Sequence, residues 1–262
     1  MRQAVFAGSF YPADGAAIVE FFRSVTPPIV PVQAYGVICP HAGHIYSGKT
    51  AFKTLSSVKI PDRIVLLCPN HRGLGQPLAV SPADEWDTPL GPVSVDMELS
   101  EKVASFAGAA FDSEAHKLEH SLEVQLPLLK ILNPDVKIVA VSVGTGQRDI
   151  LQDFAVHIAK LVIGTDTLVF ASSDMSHFVP AEVAKEADGM VMDRIREMDA
   201  DGMMDVVFEK QISMCGIYPA YVMMNSCMEN GASKSDIIEY THSGKVTGDD
   251  GDVVAYLGVR VW

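Results

Sequence analysis

The chain has 262 residues, 48% of them hydrophobic and 20% charged, with a formal net charge of −13. Such a composition suits a well-packed globule rather than a disordered chain. The acidic balance, without any lysine- or arginine-rich run, excludes a protein built to grip a nucleic-acid backbone.

Taken from the start, "MRQAVFAGSFYPADG" lacks the apolar core of a secretory signal. No later stretch reaches the roughly 20 apolar residues that a membrane span needs, so no membrane partner is expected. The four cysteines, Cys39, Cys68, Cys215 and Cys227, are widely spaced and form no CxxC pair. That spacing argues against a disulfide framework and for a reducing, cytoplasmic setting.

Helical periodicity marks 16–25, 97–106, 116–126, 149–162, 180–198 and 218–230, with Pro180 suited to a first helical position. Apolar, β-branched runs mark strands at 37–39, 64–68, 138–143, 168–171 and 253–261. Several are continuous rather than alternating, which predicts strands covered on both faces. The proline-rich segment 76–96 reads as loop or short hairpin. Strands alternating with helices predict one α/β domain over 1–262, with a central, mostly parallel β-sheet flanked by helices on both sides.

The chemistry collects where strands end. Ligands of open α/β sheets bind beyond the carboxyl ends of the strands. After "GVIC" come His41 and His44; after "RIVLLC" comes His71; after "TLVFAS" come Asp174 and His177. Only "KIVAVSV", followed by "GTGQRD", releases no imidazole. One histidine in such a place is an ordinary hydrogen-bonded loop residue. Three on one rim point to metal binding or to proton transfer, the two tasks imidazole does best near neutral pH.

Two further segments add polar groups. In "HKLEHSLEVQLP" a single helix would set His116, His120 and Glu123 on one side. In "SMCGIYPAYVMM", Cys215 precedes an apolar helix whose dipole favours a thiolate, suiting a nucleophile or a metal ligand as well as a small buried residue. "GDDGD" at 248–252 lacks the spacing and the terminal glutamate of a calcium loop and reads as a turn. "SVGTGQRD" lacks the third glycine of a dinucleotide site.

Six motifs together, "AGSFYP" (7–12), "CPHAGHIYSG" (39–48), "CPNH" (68–71), "EHSLEVQLP" (119–127), "SSDMSH" (172–177) and "CGIYPA" (215–220), resemble those of the MEMO family. Its prokaryotic members are also called AmmeMemoRadiSam system protein B. The resemblance implies the α/β fold of the protocatechuate-type extradiol dioxygenases, which use non-haem Fe(II). It implies metal ligands at His41, His71 and Cys215, with His177 and Asp174 as catalytic groups. His44, His120 and Glu123 would line the pocket, His44 standing where the family commonly has an aromatic residue. The implied cofactor is a metal ion, Fe(II) in first place, with Cu or Zn as the other choices that a thiolate ligand favours. The implied partners are a small-molecule or peptide substrate, with a functional link to radical-SAM and AMMECR-type proteins.

Three functions compete at this stage. The first is a dioxygenase-like redox enzyme. The second is a non-catalytic metal-handling or peptide-binding protein using the same cleft. The third is a hydrolase with Cys215 as nucleophile and His177 or His71 as base.

Overall fold

Among the described residues, eleven strands share one sheet, and its centre is parallel. The computed structural model describes residues 1–26 and 29–262. The strands are β1 (Gly36–Cys39), β2 (Arg63–Pro69), β3 (Leu78–Val80), β4 (Glu85–Trp86), β5 (Val93–Val95), β6 (Ala109–Phe111), β7 (Lys137–Val143), β8 (Thr167–Ser172), β9 (His177–Val179), β10 (Ser235–His242) and β11 (Val253–Val261). The path runs β10-β11-β1-β8-β2-β7-β3-β6. Its inner four strands, β1, β8, β2 and β7, are mutually parallel. The sheet turns antiparallel where β11 meets β1 and where β3 meets β7, so it is mixed.

The continuous apolar runs have the expected cause. On β2, Val65 and Leu67 join one buried cluster while Ile64, Leu66 and Cys68 join the other. Strand side chains alternate between faces, so a strand buried on both sides must be apolar at every position. One face is covered by helices Arg148–Val162, Ala181–Arg196, Ala200–Glu209 and Ile217–Glu229. The other is covered by Gly15–Arg23, Lys49–Ser56 and Leu126–Leu132. Among the described residues, no helix is long and apolar enough to cross a membrane.

Three local readings change. The expected helix over 116–126 is broken into Glu114–Lys117 and His120–Glu123, because Glu119 adopts an extended backbone (φ −94°, ψ 119°) and caps the second piece through Ser121 N–H. The segment 76–96 holds three short strands, and β4 and β5 form the hairpin. Strand β10 escapes the apolar pattern because every one of its residues is half-buried.

Candidate metal centre

Parallel pairing puts the ends of β1, β2 and β8 on one rim, and their outgoing loops meet the turn before helix Ile217–Glu229. There His41, His71 and Cys215 each offer a ligand atom, all within 4.8 Å of one another. Each is held by a separate local device.

His41 follows Pro40, which ends β1. Its backbone N–H donates to Asp174 Oδ1 at 2.7 Å, and its ring Nδ1 lies 2.9 Å from Ser172 Oγ. Ser172 spends its single hydroxyl proton on the Ser121 carbonyl at 2.7 Å. The Ser172 oxygen must therefore accept from His41, so Nδ1 carries the proton and Nε2 keeps its lone pair. That Nε2 stands 3.2 Å from Cys215 Sγ. Burial, with the neighbouring His71, His120 and His177 rings, holds the His41 pKa well below its usual value. The ring is a neutral donor.

His71 is fixed by Glu119. The ring Nδ1 lies 2.8 Å from Glu119 Oε1, and the His71 backbone N–H donates to Oε2, also at 2.8 Å. Burial alone would raise the Glu119 pKa, but His71 and the two donors of Ser121 outweigh it and bring it down to about 2. A carboxylate facing Nδ1 leaves Nε2 as the free atom, the arrangement that orients metal-binding imidazoles. A second grouping, His71, Glu119 and His120, is equally tight. Its Glu119 oxygens are already committed to His71 and Ser121, so the first grouping is the better ligand set.

Cys215 sits one residue before Gly216, the N-cap of helix Ile217–Glu229. A Cβ on Gly216 would lie 2.3 Å from the Ser172 carbonyl oxygen and 2.4 Å from Ser173 Cβ. Only glycine lets the turn press that close to the end of β8. The Asp174 backbone N–H donates to Cys215 Sγ at 3.2 Å. Enclosure, followed by the Asp174 charge, pushes the thiol pKa well above its usual value. The expected dipole effect is therefore outweighed: without a cation the group stays a thiol.

His120, which stacks on His71, and Asp174, which bonds to His41 and Cys215, line an adjoining cavity of about 600 Å³ together with Phe10, Tyr46, His177 and Tyr256, among others. Asp174 is buried, and burial raises its carboxyl to about 7 against the pull of the His41 and Ala42 N–H groups. His177 Nδ1 faces the Ser213 carbonyl at 2.9 Å, which leaves Nε2 unprotonated. Burial lowers its pKa. The His120 ring stacks on His71 with centroids 4.7 Å apart, and burial lowers its pKa to about 4.

Two residues expected at the pocket lie elsewhere. His44 opens a π-helical turn, His44–Gly48, that carries its ring to the other side, between Tyr11 and Phe22, with Nε2 2.8 Å from the Val124 carbonyl. Glu123 is fully buried beneath the N-terminal segment, accepting from Tyr11 Oη at 2.6 Å and Phe6 N–H at 2.8 Å and pairing with Arg2. The extended backbone at Glu119 detaches His116 from the turn His120–Glu123, within which His120 faces the cavity and Glu123 the N-terminal segment. Glu119 itself was not singled out from the sequence. Its signal is a glutamate just ahead of a short amphipathic segment, which reads as a cap and not as a partner of a distant histidine.

The family model for Memo-like proteins matches residues 2–260. A MEMO1 family protein of Aquifex aeolicus is 38% identical over 262 residues, covering 99% of this chain and 98% of its own length. One from Archaeoglobus fulgidus is also 38% identical, over 261 residues, with the same coverage. One from Methanosarcina acetivorans is 36% identical over 270 residues, with 100% of this chain covered and 99% of the relative. The crystal structure of an uncharacterized Escherichia coli K12 protein superposes with a TM-score of 0.61 over 86% of this chain and 98% of that one. At 12% identity that likeness concerns the fold alone.

Proposed function

The chain belongs to the Memo-like protein family, and from that premise we propose that it is a metal-dependent redox enzyme with a single transition-metal ion held by His41 Nε2, His71 Nε2 and Cys215 Sγ. One observation carries the reading: three donors from distant parts of the chain converge within 4.8 Å beside a cavity of ligand size. The donor set fits such an ion. Both imidazoles are neutral with their Nδ1 atoms engaged, and Cys215 supplies the negative charge once its proton leaves. Two imidazoles and a thiolate suit Fe(II) and copper, and also zinc.

A bound redox metal supplies electron transfer and polarises an organic substrate beside it. The chain's own residues do the rest. Glu119 and Ser172 keep the two donor rings in register. His177, with Nε2 open to the cavity, takes a proton from the substrate, and the carboxyl of Asp174, near neutrality, stores or returns one. The aromatic walls exclude water. The substrate is a small molecule or peptide, and the step belongs with the chemistry of radical-SAM and AMMECR-type proteins.

A cysteine nucleophile is less well supported. It needs a thiolate–imidazolium pair, and burial opposes the charged form of both Cys215 and His41. Metal holding without turnover shares the same ligands and is separated by oxygen uptake. Cobalt(II) loading tests the ligand set: a sulfur-to-cobalt charge-transfer band that vanishes in Cys215→Ser supports it, and a band indifferent to that change refutes it.

A further inference from the structure

The walls of the cavity say what charge its occupant carries. We propose that it takes an organic cation, an amine on an aromatic or extended apolar body, and turns away carboxylates and phosphates. The inference rests on the reading above for the chemistry done at the metal, but the recognition it describes belongs to the walls.

Among the described residues, no lysine or arginine lines the cavity, whereas Asp174 and Asp252 do. The acidic turn 248–252, unused by the metal chemistry, delivers exposed Asp252 to the wall, and the chain as a whole carries −13. An anion held by these walls would meet no lysine or arginine in a negative field, while a cation would be drawn in.

The second observation is Phe178. It has φ 57° and is 76% exposed, a left-handed backbone under a bulky side chain with no packing reward. The strand pairing explains how it is held. His177 pairs with Val254 and Val179 with Val253, so Phe178 is the extra residue of a β-bulge between β9 and β11. Bulges re-aim side chains beside functional sites, and this one turns Phe178 to the cavity. Its anchors are firm, with the His177 N–H donating to Ser213 Oγ at 2.8 Å. Phe178 joins Phe10, Tyr46 and Tyr256 in the lining. Aromatic faces beside a carboxylate are the surroundings that favour an ammonium group.

The test uses three probes of one shape: tyramine, 4-ethylphenol and 3-(4-hydroxyphenyl)propionate. Each is titrated by calorimetry into metal-free and zinc-loaded protein, for wild type, Asp252→Asn, Phe178→Leu and Cys215→Ser. Tyramine is expected to bind about tenfold more tightly than the propionate, with the neutral phenol between. Asp252→Asn shrinks that preference several-fold. Phe178→Leu weakens tyramine more than the phenol. Both substituted residues are exposed, so the variants fold. Equal or tighter binding of the propionate, an unchanged preference in Asp252→Asn, or no binding of any probe at millimolar concentration would each overturn the proposal. Cys215→Ser keeps the preference while losing metal, so failure of the metal site and failure of the cation pocket are read separately.

Discussion

Glu119 grips His71 at two points, its Oε1 facing the ring Nδ1 and its Oε2 accepting the backbone N–H, both at 2.8 Å. The two residues are 48 positions apart, and the carboxylate is completely buried. A double contact fixes both the direction of the ring and the tautomer. It makes Glu119 as much part of the proposed centre as the three candidate donors.

Replacing that carboxylate should therefore loosen the metal without removing a ligand. Glu119→Gln is expected to lower metal affinity about 10- to 100-fold. Competition against a chelator of known affinity measures it, with circular dichroism confirming that the fold is kept. Unchanged affinity would mean that His71 is oriented by something else.

Metal uptake should depend on pH through Cys215. The thiol pKa is raised by enclosure and by Asp174, so the metal-free protein carries S–H near neutrality. Binding needs the thiolate and must expel that proton. Apparent affinity is expected to rise about tenfold per pH unit in this range, with about one proton released per ion. Calorimetry in buffers of different ionisation enthalpy counts the protons. In Cys215→Ser the release disappears along with most of the affinity.

Gly216 is a question of space. An added methyl would collide with the Ser172 carbonyl and Ser173 Cβ at 2.3 and 2.4 Å. Gly216→Ala should push Cys215 away from His41, abolish stoichiometric metal and cost about 1–3 kcal/mol of stability. Gly189, inside helix Ala181–Arg196 with nothing within 4 Å of the added carbon, is the control. Gly189→Ala should keep its metal and gain up to about 1 kcal/mol. Thermal melts and metal analysis on both variants decide the matter.

His44 and His116 should make the metal-free protein acid-labile. Each is buried, with Nε2 facing a carbonyl and Nδ1 without a partner. Burial lowers both pKa values from 6.5 to about 4. The unfolded chain then binds more protons in that interval, so stability is full above pH 6.5 and falls as pH drops towards 4. Each group accounts for at most about 3 kcal/mol of that loss. Urea midpoints against pH should show a shallower decline in His44→Phe than in wild type.

What the sequence discloses here follows from what is local. The four inner strands were legible because burial on both faces leaves a continuous apolar run, and their endings exposed His41, His71, Asp174 and His177. The mixed edges were not legible, since β10 is half-buried throughout and alternates with nothing. Periodicity put His116 beside His120, because a helix argument assumes an unbroken helix, and one extended residue at Glu119 undoes it; Glu123 is drawn away by Arg2, Phe6 and Tyr11, which lie far off in sequence. His44 follows a strand as His41 does, yet the π turn sends it into the opposite core. Cys215 stood out locally as a thiol ahead of an apolar helix, but its grouping with the histidines came from resemblance: its turn meets them only through the packing of helix Ile217–Glu229 against β8 and β2.

Metal content of untagged protein purified without oxygen, for wild type and for His41→Ala, His71→Ala and Cys215→Ser, tests the centre most directly. Near-stoichiometric iron or copper in wild type, lost in all three variants, is the expected result. Wild-type protein that stays metal-free after reconstitution, or variants that keep a full complement, would contradict a metal centre at these residues.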